Sequence, residues 1–238
     1  MSDKILKILK LALCLIFMLA SIYLIYNYYD GKKVESAPKN TPVKENKNRK
    51  LIDNLKEEYN NDEIVMLLEI PNVLKTPIVQ TDDNKYYYTH DLYRDNKKAG
   101  VPFLDYRNKS LNDKKLIIYD LKSEEDDAFT NLENYQREDY FHNNSIINVY
   151  TEKDTKEYKI FSCYIETSDF DYTNLNSYDG LTYLEHINKL KTKSLYDTDV
   201  VLENSSKIII LDLTLDQSQK KDMLVIGVEV PKEEIFSQ

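Results

Sequence analysis

Residues Leu68–Leu92 read LEIPNVLKTPIVQTDDNKYYYTHDL. Short runs of β-branched and aromatic residues are cut here first by Pro71 and Asn72, then by Asp82, Asp83 and Asn84, which favour turns over continued strand. The runs EIVMLLEI (63–70), TPIVQ (76–80) and KYYYTH (85–90) open a series that continues through GVPFLD (100–105), KLIIYDL (115–121) and SIINVYT (145–151). EYKIFSCYIET (157–167), SKIIILDLTL (206–215) and MLVIGVEV (223–230) complete it. Many short strands separated by Asn, Asp, Pro and Lys predict a mainly β domain, a barrel or sandwich, rather than a layered α/β fold.

Three segments break the series. KLIDNLKEEYNN (50–61) carries Leu51, Ile52, Leu55 and Tyr59 at helical spacing and predicts an N-terminal helix packed on the domain. AFTNLENYQREDYF (128–141) and LTYLEHINKL (181–190) predict two more. In the last, Leu181, Leu184, Ile187 and Leu190 mark the apolar face, which leaves His186 on the helix surface. No second His or Cys stands at ligand spacing from it.

Upstream, LALCLIFMLASIYLIY (11–26), extended by Ile5, Leu6, Ile8 and Leu9, is long enough to cross a bilayer as a helix. Lys4, Lys7 and Lys10 precede it and predict a cytoplasmic N-terminus with the bulk of the chain outside. No small-x-small site follows the run, so an uncleaved anchor is expected over residues 1–29, touching lipid through residues 5–26. Residues 30–50, polar and without apolar periodicity, read as a flexible extracellular linker to a domain at 51–238. Residues 1–50 hold 10 Lys and Arg against 4 Asp and Glu, although the whole chain is −9, so the acid is concentrated in that domain. Such a balance argues against a nucleic-acid partner.

Cys14 lies in the apolar run, which leaves Cys163 without an intramolecular disulfide partner. Alternation puts Cys163 on one strand face with Phe161 and Ile165, the pattern of a small buried hydrophobe with a raised thiol pKa. A different tension marks IIILDLTLDQ (208–217), where Asp212 interrupts an apolar strand and Asp216 follows. A carboxylate in a sheet interior costs several kcal/mol unless it holds a proton or reaches water, so Asp212 is expected to face a cleft. Thr214, two residues on, shares its face.

With AGVPFLDYRN (99–108) added, the stretch at 68–92 resembles the opening strands of class B sortases. There an I-P-x turn precedes a P-V-V-Q strand, a D-N-x-Y-Y segment and a G-x-x-F-x-D-x-R-N strand. The likeness continues through LIIYDLK, AFTNLENY, YKIFSCY, the helix at 181–190 and the last two strands, spanning residues 50–232. It implies a sortase-type closed barrel of about eight strands, with an N-terminal helix and two peripheral helices. It also implies a membrane-tethered protein on the outer face of a Gram-positive cell.

Sortases act through a cysteine thiolate, a histidine that handles protons and an arginine that stabilises developing negative charge. The resemblance sets Leu121 at the histidine position with Asp120 before it, Thr214 at the cysteine position, and Met223 at the arginine position after Lys221 and Asp222. Leucine accepts no proton, and a threonine hydroxyl needs an adjacent base. The implied groove candidates are therefore Asp120, Asp212, Thr214 and Asp222, an acidic cleft with no catalytic set, no cofactor and no assigned metal ligand.

Three functions follow from this reading. The first is a pseudosortase, a catalytically inactive extracellular scaffold or binding module for an envelope protein or an extended peptide. The second is an active transpeptidase, anchoring surface proteins to the cell wall, with a displaced nucleophile at Cys163 or Thr214. The third is a cation site built from Asp120, Asp212, Asp222 and the SEEDD run at 123–127. His90, His142 and Arg107 are read as structural residues at element ends.

Overall fold

The computed structural model describes residues 47–97, 100–122, 128–175 and 180–231, together with residues 20, 21 and 23. The chain divides into two units, 1–45 and 46–238, and the second carries the architecture below. Most of the predicted anchor lies outside the described residues, and among those described no helix is long and apolar enough to cross a membrane.

Eight strands close into a barrel in the order β1-β2-β3-β4-β7-β8-β6-β5. β1 (Ile64–Ile70) and β2 (Leu74–Val79) form an antiparallel pair, and Asn72 between them adopts φ 63°, a left-handed conformation asparagine tolerates. β3 (Phe103–Leu104) is short; β4 (Lys115–Leu121) follows it antiparallel. β5 (Ile146–Tyr150) and β6 (Thr155–Glu166) pair antiparallel, as do β7 (Ile208–Asp216) and β8 (Lys221–Glu229). β4 and β7 run parallel, so their C-terminal ends open on the same rim.

Alternation sorts the apolar residues into two clusters. Met66, Ile78, Leu104, Ile118, Ile147, Cys163, Leu211 and Val225 come from all eight strands and fill the barrel interior. Ile117, Phe161, Ile210 and Ile226 face the other way and are covered by Phe170, Tyr172 and helix α3 (Tyr183–Thr192). A β-bulge between Ile160 and Ser162 breaks the alternation of β6, so Phe161 belongs to the outer cluster and Cys163 to the inner, not to one face as expected.

Helix α1 runs from Lys47 to Tyr59, so the helix begins inside the segment read as linker. KYYYTH is not a strand. The Asp83 carboxylate accepts the N–H groups of Lys85 at 2.7 Å and Tyr86 at 2.9 Å and winds Tyr86–Tyr88 into a 3₁₀ turn. The helical segment at 128–141 is divided by an extended Arg137 into a 3₁₀ stretch, Thr130–Gln136, and helix α2, Glu138–Asn143. α3 starts at a Thr182–Glu185 capping box, which leaves Leu181 outside the helix and sets its phase from Tyr183. The buried face is therefore Tyr183, His186, Ile187 and Leu190, and His186 is fully buried rather than on the surface.

Candidate functional site

The parallel register of β4 and β7 sets Leu121 beside Thr214, and the antiparallel register of β7 and β8 sets Thr214 beside Asp222. Leu121, Thr214 and Asp222 thus lie in one row across adjacent strands, two of them at the positions implied for the histidine and the cysteine. Asp212, two residues before Thr214, shares its face, as alternation requires. The opposite face carries the other two candidates. Asp120 pairs in register with Leu213 and Leu213 with Met223, and Leu213 and Met223 both belong to the interior cluster. Met223 is fully buried there, so the strand pleat puts Asp222, not Met223, on the groove side. Asp120 likewise departs from the expected three-carboxylate cleft; its Oδ1 accepts the N–H of Leu121 at 2.9 Å.

Above the row lies a cavity of about 490 Å³. Tyr88, Tyr172, Thr214 and Asp222 line its floor, and Glu166, Asp169, Asp171 and Lys220 stand around it. The Tyr172 hydroxyl lies 2.8 Å from Asp212 Oδ2 and 3.1 Å from Asp222 Oδ2. One phenolic proton therefore serves two carboxyl groups. Burial, then the negative charge of Asp222, raises the pKa of Asp212 well above the carboxylate range, against the lowering effect of the Tyr172 hydrogen bond. Asp222 is raised too, chiefly by burial, although Tyr172 and Thr214 hydrogen-bond to it. Burial and the Asp212 charge push the Tyr88 phenol upward, while Thr214 hydrogen-bonds to it. The floor is a linked set, Tyr88–Thr214–Asp222–Tyr172–Asp212, that retains protons.

Asp216 takes no part in the groove. Its Oδ1 accepts the Ser218 N–H at 2.9 Å and the Ser218 hydroxyl at 2.6 Å, shaping the turn from β7 to β8. Cys163 is also remote from the groove floor, buried in the barrel interior with Sγ 3.3 Å from the Tyr135 carbonyl, and burial pushes its thiol up to about 12. His90 stacks on Tyr86 at 3.9 Å and His142 ends α2, 3.9 Å from Glu138; neither lines the groove. Arg107 holds Asp105 through a 2.5 Å contact and donates to the Thr173 carbonyl at 3.0 Å, tying the segment around Tyr172 to the barrel.

The loop bearing Tyr172 has a second anchor that sequence reasoning passed over. Lys115, buried at the start of β4, donates to the carbonyls of Tyr172 at 3.0 Å and Asn174 at 2.6 Å, and lies 3.0 Å from His186 Nε2. Burial pulls its pKa down to about 7, and burial together with the Lys115 charge holds His186 down to about 4. Tyr88 and Tyr172 were missed as well, since tyrosines among 20 in a chain carry no signal of which will meet a carboxylate. The SEEDD run lies outside the described residues. Among those described, no group of three or more His, Cys, Asp or Glu side chains is arranged to hold a metal ion.

The barrel with this groove at the ends of β4, β7 and β8 is the sortase fold. It superposes on a cysteine-to-serine mutant form of Clostridium perfringens sortase B with a TM-score of 0.71 at 21% identity, over 82% of this chain and 93% of that one. A Staphylococcus aureus sortase B–substrate complex matches at a TM-score of 0.70 and 22% identity, over 76% of this chain and 85% of that one. Among curated proteins, sortase B of Listeria monocytogenes is 28% identical over 192 residues, 79% of this chain and 78% of the relative. Sortase B of Staphylococcus aureus is 24% identical over 176 residues, 72% of each. No family model matches the chain. The chain is thus similar to class B sortases over most of its length, and what it shares with the solved ones is the fold.

Proposed function

We propose that this chain is a sortase-fold binding module in which the groove recognises a partner without forming a covalent intermediate. The observation that carries the reading is the row Leu121–Thr214–Asp222. Sortase chemistry needs a thiolate, a proton carrier and a cation at such a site, and this row offers an alkyl group, a hydroxyl and a carboxyl. An acyl oxyanion forming beside Asp222 and Asp212 would meet like charge or a proton-sharing pair, not a compensating cation. Cys163, with its thiol raised to about 12 and its side chain inside the barrel, is a poor substitute nucleophile. We further propose that the module is held at the outer face of the membrane by residues 5–26 and engages an envelope protein or an extended peptide.

An active sortase is equally consistent with the comparisons, and one contact favours it. The Thr214 side chain hydrogen-bonds to Asp222, so a hydroxyl and a carboxyl group of raised proton affinity stand together in the groove. Intact-mass measurement decides between the two. Wild-type protein incubated with a sorting peptide is expected to show no acyl adduct. A triple variant, Leu121→His, Thr214→Cys and Asp222→Arg, is the form in which an adduct is expected if the framework still supports chemistry. An adduct on the wild-type chain removed by Thr214→Val would establish the active reading and overturn the binding one.

A further inference from the structure

The end of the barrel away from the groove holds a buried charge. The groove lies where β4 and β7 end, whereas Lys156 stands near the start of β6, at the opposite end, in register with Val149 of β5. Val149, Tyr158 and Ile160 belong to the interior cluster, so strand alternation turns the Lys156 side chain inward. It is 5% exposed. Its ammonium donates to the Leu111 carbonyl at 2.6 Å and to Asn112 Oδ1 at 2.6 Å, which accounts for two of its three N–H groups. Both acceptors are neutral. Of the acidic residues nearby, Glu152 is bound by Lys56 at 2.6 Å, Asp154 accepts the Thr151 hydroxyl at 2.7 Å, and Asp62 is exposed to solvent. Among the described residues no carboxylate lies within ion-pair distance of Lys156. Lysine is seldom so buried without a counter-charge, because withdrawing an ammonium ion from water costs several kcal/mol unless it is paired. The two hydrogen bonds explain its position but not its charge.

The second observation is the space beside it. A cavity of about 350 Å³ is lined by Lys156 together with both residues that hold its ammonium, Leu111 and Asn112. Val65 and Leu111, each partly buried against the barrel interior, give it an apolar wall. Small-molecule sites of this kind, an apolar wall with a few placed polar groups, enclose about 300–1,000 Å³. We propose that this cavity binds a small aliphatic carboxylate, whose carboxylate group accepts the remaining N–H of Lys156 and whose hydrocarbon chain lies against Val65 and Leu111. The ligand would supply the counter-charge that the barrel end lacks. The site is separate from the groove, and the inference stands apart from the binding reading above.

Calorimetric titration of the full chain with sodium pentanoate tests it, with pentanamide as the neutral isostere and acetate as the charge without the chain. Pentanoate is expected to bind at least about tenfold more tightly than pentanamide, through the charge-assisted bond to Lys156. It should also bind more tightly than acetate, through the apolar wall. Lys156→Met keeps the aliphatic stem and should remove the preference over pentanamide, whereas Lys156→Arg keeps the charge and should retain it. Equal affinity for pentanoate and pentanamide would overturn the carboxylate assignment. That comparison uses wild type alone, so it decides even where Lys156→Met fails to fold. A preference that survives Lys156→Met, or no binding of pentanoate to wild type at millimolar concentration, would overturn the site itself.

Discussion

Asp212 is a strand residue whose carboxyl group is more easily kept neutral than charged. Burial and the neighbouring Asp222 both oppose its ionisation, so its folded pKa lies above its unfolded one. The stability that this protonation contributes is fully present below the unfolded value and is lost as pH rises through the folded one. Asp212→Asn keeps the shape of the neutral acid and cannot ionise. The variant is therefore expected to gain stability relative to wild type, and to gain more at pH 8 than at pH 5, in urea unfolding midpoints at the two pH values. A gain that shrinks with rising pH would mean that Asp212 is stabilised as the anion. Residue chemistry also explains why Met223 and Asp222 exchange roles. Neighbours on a strand point to opposite faces, and a one-position difference moves a side chain from the groove to the barrel interior.

At the scale of elements, α3 and the loop before it form a cover over the outer sheet face. His186 is the point where cover and barrel meet, with Lys115 at 3.0 Å and the Phe170 ring at 5.1 Å. Its pKa, held down to about 4 from 6.5, means that the unfolded chain takes up a proton before the folded one does. Stability is thus whole above pH 6.5 and falls as pH drops toward 4, by about 3 kcal/mol at 1.36 kcal/mol for each pH unit. His186→Gln retains an acceptor for Lys115 but does not titrate in this range. Chemical unfolding at pH 7 and pH 4.5 is expected to show a smaller acid loss in the variant than in wild type. An identical loss would place the acid sensitivity elsewhere. The same contacts fix the backbone at Tyr172, so the element that covers the core also delivers the phenol to the groove.

For the whole molecule, the acidic domain and the lysine-flanked apolar run at 5–26 lead to the proposal of a tethered protein facing outward. Protease added to intact cells is expected to remove the domain at 51–238, detected by an antibody to it. Domain that persists until the cells are lysed would reverse the orientation. Closure of the barrel gives the domain a sheet without open edges, which limits pairing with other chains.

Much of the architecture was legible in one dimension because short apolar runs and turn residues report burial locally. β1, β2, β4, β5, β6, β7 and β8 all fall on runs read from the sequence, and the shared face of Asp212 and Thr214 follows from strand alternation alone. The departures are where a non-local or single-residue contact outweighs the run. The Asp83 carboxylate turns a tyrosine-rich segment into 3₁₀ structure, a bulge at Phe161 shifts the phase of β6, and a capping box rotates α3 so that His186 goes inward. The groove itself required tertiary structure. What the sequence by itself offered was an expectation, through the sortase resemblance, of Leu121, Thr214 and Met223 at the three catalytic positions, since residue identity is local. Which carboxyl groups meet, Asp212 with Asp222 and not with Asp120, was decided by the pleat and register of three strands. That Tyr172, 40 residues before Asp212 in the chain, should share its proton with both depends on a buried lysine holding a loop in place. Periodicity records which residues avoid water, whereas hydrogen bonds between distant segments exist only once the chain has closed around them.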